Sequence, residues 1–136
     1  MIDRELVSKK LAFIETCVRE LRTLARVEAL GRDVKEERFV EHTLQLAIQA
    51  AMDVASHVVS DERLGEPRTN RDLFDSIGRA GLISPELGEV LGDMAGFRNL
   101  LVHGYGDIDL EIVRDVVENH MADLLAFVEA MRGRNR

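Results

Sequence analysis

The stretch that organises this chain spans residues 95–109 and reads AGFRNLLVHGYGDID. Arg98, with Asn99 beside it, closes an apolar helical turn, and His103 follows five places later. A glycine and the only tyrosine of the chain, Tyr105, come next. Packing explains most of the remaining sequence as helical scaffold, but it does not explain an arginine, a histidine and a tyrosine at this spacing.

The stretch ends the fourth of about five predicted helices. Residues 84–86, SPE, are a start signal for this helix, with an N-cap serine, a proline in the first turn and an acid near the positive helix end. The helix is predicted to stop at Gly104. The last helix then begins at Asp107 or Asp109 and keeps its apolar face as far as Met131.

Two long helices are predicted near the amino terminus. The first covers about residues 3–30 and is followed by Gly31, a natural residue just past a helix end. Asp33 and Glu36 resemble a capping box for the second, which runs over about 34–61 without Gly or Pro. At ~1.5 Å per residue this helix is roughly 40 Å long, which predicts a central position or partial burial against another subunit.

A shorter helix is predicted between the long pair and the fourth helix. Residues 62–69 contain Gly65 and Pro67 and are predicted to form a loop. Thr69 and Asp72 can then cap a third helix that ends near a glycine. The predicted fold is an all-α bundle of about five helices with two long antiparallel members, in one domain over 1–136. Its basic tail, 132–136, is expected to fray.

Composition limits the classes of function. The chain has 136 residues, 46% of them apolar and 32% charged, with a net charge of −7. This charge argues against a general nucleic-acid coat protein but allows RNA as a substrate in a locally basic cleft. The lone Cys17 excludes an internal disulfide and fits a reducing cytoplasm. No signal peptide or membrane-spanning run is found, so a cytoplasmic protein without membrane contact is expected.

The geometry of the central stretch leaves two ways to bring Arg98 and His103 together. Residues five apart on an ideal helix point about 140° apart, because each residue turns ~100°. If the helix ends at His103, the imidazole can swing into a terminal cleft, where the negative helix end favours its protonated form. Alternatively, the pair converges with its copy from a neighbouring subunit.

An arginine and a histidine in one wet cleft suit metal-free RNA cleavage. Histidine can take the 2′-hydroxyl proton or protonate the leaving oxygen. Arginine can hold the phosphate and stabilise the charge that builds up in the transition state. Asn99 can orient the phosphate or the imidazole. The sequence has no convincing metal site, no phosphate-binding loop and no dinucleotide-binding glycine pattern, so no cofactor is expected.

Residues 98–105, RNLLVHGY, resemble the Arg-x4-His-x-Tyr signature of HepT-like toxins in the HEPN superfamily. Residues 43–57, the start of the fourth helix and residues 94–97 also resemble this family. The resemblance implies an all-α HEPN fold, dimerised so that two Arg98/His103 sets face a shared cleft. It further implies a metal-independent ribonuclease toxin, with tRNA among the targets of the family. Gly104 departs from many relatives, which carry a larger residue there.

The same resemblance implies partners and a modification. The partner is a nucleotidyltransferase antitoxin of the MntA type, with which a homodimer can form a larger hetero-oligomer. In this family the motif tyrosine, here Tyr105, can receive AMP groups that silence the toxin. Each AMP would add negative charge and bulk two residues from His103 and would repel RNA phosphate.

Structural interpretations compete with several of these roles. Arg98 could cap carbonyls at the helix end, His103 could pair with a carboxylate, and Tyr105 could be an apolar lid. Asp53 could pair with His57 one turn away or orient Arg98 as a supporting residue.

Two further positions and the tail also have structural interpretations. His42 and His120 are interpreted as surface or core-edge residues. The basic tail could contact RNA phosphate, but a solvated terminus is the preferred interpretation. For the whole chain, the alternative to a ribonuclease is a non-catalytic helical module that binds a nucleotidyltransferase partner or a nucleotide.

Overall fold

The computed structural model of the chain describes residues 3–103 and 108–135. All regular structure in these two ranges is helical. The α-helices are α1 (Arg4–Leu24), α2 (Val34–Asp61), α3 (Asn70–Arg79), α4 (Pro85–His103), α5 (Leu110–Asn119) and α6 (Met121–Arg134). The predicted all-α fold is confirmed, and the number of α-helices is one greater than expected.

Local capping explains why several helices start where the sequence predicts. Thr69 and Asp72 form a complete capping box at α3. Ser84 Oγ accepts from the backbone N–H of Leu87 at 3.1 Å, and Asp109 accepts from that of Glu111 at 2.9 Å. These bonds satisfy N–H groups that have no partner within the helix.

The core is organised around α2. This helix packs against α1, α3 and α4, while α6 returns to pack on α1. An ion pair between Lys10, early in α1, and Asp53, late in α2, shows that the two long helices are antiparallel, as predicted. The predicted apolar side of α2 is fully buried: Val40, Leu44, Ala47, Ala51, Val54 and Val58. Phe74 and Phe127 meet edge to face between α3 and α6, with ring centroids 5.8 Å apart.

The first helix ends earlier than the sequence predicts. After Leu24 the chain turns extended at Ala25 and forms a short 3-10 turn, Val27–Ala29. The carboxylate of Glu36 explains the change, because it accepts the backbone N–H of Arg26 at 2.8 Å. Gly31 follows the turn with φ +90°, a conformation that glycine adopts without strain.

The last predicted helix is in fact two. The break falls at His120, where φ is −121° and ψ is 8°. The two imidazole nitrogens of His120 lie 3.2 Å from Asp115 of α5 and 2.8 Å from Asp123 of α6. One partly buried side chain thus joins the two helices across the break, and it does so without a Gly or Pro that would mark the site in the sequence.

The expectation of a frayed basic tail is wrong for the residues that the structure describes. Arg132 makes a two-pronged contact with Glu15 at 2.6 and 3.0 Å. Arg134, in the final turn of α6, contacts Asp61 and Glu62 at the end of α2. Asn135 donates to the carbonyl of Arg4 at 3.0 Å. The tail is therefore part of the bundle, and its two described arginines are paired with carboxylates.

The position of the lone cysteine determines its reactivity. Cys17 is buried in α1, and burial raises the pKa of its thiol to about 11. The thiol therefore stays protonated and unreactive at neutral pH.

Within residues 3–103 and 108–135, no helix combines the length and apolar character needed to cross a membrane.

Candidate functional site on the fourth helix

Arg98 lies at the point where the inward face of α4 meets solvent. Leu91, Met94 and Ala95 form the buried face of the preceding turns, and Arg98 continues it three residues after Ala95. Its side chain is half-buried. Nη1 donates to Oδ1 of Asn99 at a long 3.4 Å, while Nε is buried without a hydrogen-bond partner among the described residues. A half-buried guanidinium with unused donors suits an incoming anion.

His103 is the last described residue of α4, and its side chain is exposed. Because α4 is helical from Pro85 to His103, helix geometry directs Arg98 and His103 about 140° apart. Their burial agrees, with one side chain half in the core and the other in solvent. Within the described part of the chain, no hydrogen bond joins them.

The outer face of α4 carries His103 together with an apolar strip. Gly96, Asn99, Leu100 and His103 are spaced as one helix face, and all four are exposed. Leu100 is 57% exposed, and a Cβ added at Gly96 would meet no atom within 4 Å. We define this outer strip by these four residues.

Asp53 is held by residues of the scaffold, and its supporting role toward Arg98 stays a prediction. Its two carboxylate oxygens accept from Lys10 Nζ at 2.9 Å and from Gln49 Nε2 at 2.8 Å. Neither Arg98 nor His57 is a hydrogen-bonding partner of Asp53 in the ranges that the structure covers. The physical reason is that α1 packs along α2 and brings Lys10 to this carboxylate, a contact that the sequence pattern of α2 alone cannot reveal.

A cavity of about 540 Å³ opens between the first half of α2 and the end of α4. Leu101 lines it from α4, one turn after Arg98. From α2 the lining residues are Arg38, Phe39, Glu41, His42, Thr43 and Gln45. Sequence reasoning missed this group as a site, although the spacing of Arg38, His42 and Gln45 places them on one face of a helix.

The remaining predicted features have simple outcomes. Tyr105 and Gly104 lie outside the described residues. His42 is exposed and His120 is partly buried, in agreement with their interpretation as surface and core-edge residues. In the described ranges, no group of three His, Cys, Asp or Glu side chains is arranged to hold a metal ion.

Comparison with known proteins gives consistent matches over nearly the whole chain. Residues 14–131 match the family model described as Ribonuclease HepT-like. The chain is 29% identical to the mRNA nuclease HepT of Shewanella oneidensis over 132 residues, which covers 94% of this chain and 97% of that protein. It is 37% identical to the tRNA nuclease HepT of Aphanizomenon flos-aquae over 75 residues, 55% and 51% of the two chains.

A solved structure has the same fold. It contains a tri-AMPylated Shewanella oneidensis HEPN toxin in complex with MNT antitoxin, and its similarity to this chain has a TM-score of 0.87 at 29% identity. The match covers 98% of this chain and 99% of the other.

Proposed function

This chain belongs to the HepT-like ribonuclease family, and from that premise we propose that it is the RNA-cleaving toxin of a toxin–antitoxin pair. The observation that carries the proposal is the end of α4. There a guanidinium with unused donors and an exposed imidazole lie five residues apart. The substrate is RNA, with mRNA and tRNA as the classes cleaved by its named relatives, and the place of action is the cytoplasm.

The proposed reaction uses the 2′-hydroxyl of the RNA as the nucleophile. The His103 imidazole accepts the 2′-hydroxyl proton while the 2′-oxygen attacks phosphorus. The bond between phosphorus and the 5′-oxygen breaks, and a protonated imidazole returns a proton to that oxygen. The products are a 2′,3′-cyclic phosphate and a free 5′-hydroxyl. Arg98 stabilises the extra negative charge on the phosphoryl oxygens, so side chains supply both functions without a metal ion.

A second copy of the chain completes the site in this proposal. Helix geometry directs Arg98 and His103 of one copy about 140° apart, so one helix does not aim both at one phosphate. The outer strip supports a dimer, because Leu100 is an exposed apolar residue beside His103 and Gly96 leaves room for close approach. In a two-fold contact where the strip of each copy meets the Arg98 side of the other, His103 of each copy would lie near Arg98 of the other.

Regulation by a nucleotidyltransferase antitoxin is the second part of the proposal. The solved relative is AMPylated and bound to an antitoxin. In this chain, Tyr105 stands at the tyrosine position of the Arg-x4-His-x-Tyr pattern of residues 98–105. We propose that Tyr105 receives AMP and that the added phosphates repel RNA next to His103. Intact mass should therefore rise by one or more AMP units after co-expression with the antitoxin, and Tyr105→Phe should abolish the increase.

Cleavage of end-labelled RNA in excess EDTA tests the activity. Wild-type protein should cut, whereas Arg98→Ala and His103→Ala should each slow cleavage by about 100-fold or more. Arg63→Gln is a matched control, since it removes an arginine that lies after the end of α2, away from the site. If His103→Ala cuts as fast as wild type while both proteins are folded, the chain is a binding module and not a ribonuclease that uses this motif.

A further inference from the structure

We propose that the cavity between α2 and the end of α4 binds one unstacked nucleotide of the RNA, with Arg38 on its phosphate and Phe39 against its base. The inference rests on the proposed function and deepens it, because it assigns the substrate a second contact region. Nothing in the Arg-x4-His-x-Tyr motif includes these α2 residues.

The position of the cavity connects it to the candidate active site. Leu101 forms its α4 wall and lies between Arg98 and His103 along the helix. Arg98 and Leu101 are three residues apart and therefore share a side of α4. If a phosphate of an RNA strand contacts Arg98, this cavity is the adjacent concave surface on the side of α4 that faces α2.

The charges of the lining favour a phosphate group. Arg38 is exposed and has no ion pair or hydrogen-bonding partner among the described residues, unlike Arg71, Arg132 and Arg134. The acid in the lining, Glu41, is partly buried, and burial is the main cause that raises the pKa of its carboxyl. Glu37 adds to this increase and Arg38 opposes it. The cavity thus contains one exposed guanidinium that makes no hydrogen bond among the described residues and interacts only through its charge with Glu41 of the same lining.

The other lining residues match what single-stranded RNA requires. Phe39 is half-buried and packs against the core, so its ring is held in place while one side faces the cavity. Aromatic rings held in this way stack on unpaired bases of any sequence. Gln45 and His42 are in reach of a base edge from the next turn of α2, and the Gln45 amide carries both donors and an acceptor. Cation, aromatic ring and amide together form a nucleotide site.

The test measures binding of a short fluorescein-labelled single-stranded RNA by His103→Ala protein, in which cleavage is blocked. Adding Arg38→Gln should weaken binding and reduce the slope of log affinity against log salt by about 0.7, the change for one lost phosphate contact on a single strand. Arg63→Gln removes the same charge just past the end of α2, which lies about 35 Å along the helix from Arg38, so it should leave the slope unchanged.

Phe39 is tested by two substitutions because an alanine could unfold the protein. Phe39→Leu preserves an apolar contact with the core but removes the aromatic face, and it should weaken RNA binding by about 10-fold. Phe39→Tyr keeps the aromatic face and should bind RNA as wild type does.

In protein that retains His103 and therefore cleaves RNA, Arg38→Gln should raise KM and leave kcat within about twofold. This is expected for a contact that is equally strong in the ground state and the transition state.

Three results would overturn the inference. An unchanged salt slope and affinity in Arg38→Gln, with wild-type protein still cutting RNA, would refute the cavity alone. A shift of Arg38→Gln or Phe39→Leu from dimer to monomer in sedimentation would assign the cavity to contact with a second copy. Absence of RNA binding and cleavage in the wild-type protein would refute the proposed function and this inference together.

Discussion

Lys10 of α1 donates to the carboxylate of Asp53 in α2 at 2.9 Å, 43 positions away in sequence. Both side chains are about one-third exposed, and Gln49 holds the second carboxylate oxygen. The contact ties the amino-terminal half of α1 to the carboxy-terminal half of α2. Asp53 therefore belongs to the scaffold in this structure, although its sequence context also suits a residue supporting Arg98.

A structural role for Asp53 predicts a change in stability without a change in catalysis. Asp53→Asn should lower the free energy of unfolding by about 1 kcal/mol, and Lys10→Met combined with it should show coupling of similar size. Urea unfolding of the two single variants and the double variant measures this. Cleavage by Asp53→Asn should stay within about twofold of wild type. A large loss of cleavage at unchanged stability would instead return Asp53 to the active site.

The carboxy-terminal arginines should contribute to folding. Arg134 is 16% exposed and contacts both Asp61 and Glu62, so Arg134→Gln removes two charged contacts between α6 and the end of α2. We expect a loss of about 1 to 3 kcal/mol in the free energy of unfolding. Arg22→Gln, on the exposed side of α1, should change it by less than about 0.5 kcal/mol. Equal effects of the two variants would show that the tail contacts are not formed in solution.

His120 should make stability depend on pH. The hydrogen bond that the His120 imidazole donates to the Asp123 carboxylate is the main cause that raises the pKa of the imidazole above the ordinary 6.5, and Asp115 adds to it. Because the folded-state pKa is raised, this stabilisation is fully present below the unfolded-state pKa. It is lost as pH rises through the folded-state pKa.

The stability difference between wild type and His120→Gln should therefore be larger at about pH 5.5 than at about pH 8.5. Urea midpoints at the two pH values provide the measurement. A difference that stays constant, or one that grows with pH, would show that the charged bridge between α5 and α6 does not form.

Gly88 should be required for the close packing of α3 on α4. A Cβ added there would lie 3.0 Å from the backbone carbonyl oxygen of Phe74, which cannot move aside without shifting α3. Gly88→Ala should lower the free energy of unfolding by about 1 to 3 kcal/mol. Gly133→Ala is the control, since its Cβ would meet no atom within 4 Å and should be neutral or slightly stabilising. Thermal unfolding of the two variants separates packing from helix propensity.

Features that depend on neighbouring residues could be predicted from the sequence, whereas features that depend on contacts between distant residues could not. The starts of α3 and α4 followed from Thr69, Asp72 and Ser84, whose caps act within four residues. The burial of one side of α2 followed from its helical spacing. The break at His120 and the pinned tail were missed, because they depend on carboxylates from other elements. Arg132, for example, is paired with Glu15 from 117 positions away.

The candidate site also has a part that the sequence predicts and a part that depends on packing between distant elements. Arg98, Asn99 and His103 were predicted as a group from one stretch, and all three lie on α4. The cavity residues Arg38 and Phe39 were not predicted as a site, since only the packing of α2 beside α4 brings them near Leu101. How the two motif residues meet depends on a second chain in our proposal, and no pattern within one chain determines that contact.

The central claim is that Arg98 of one copy and His103 of another act on the same phosphate. Cleavage of RNA in EDTA by Arg98→Ala protein, by His103→Ala protein and by an equal mixture after subunit exchange tests it most directly. Each variant alone should be inactive. In the mixture, half of the dimers carry one complete pair, so cleavage should return to about a quarter of the wild-type rate. A mixture as inactive as its components, or either variant cutting like wild type, would contradict the claim.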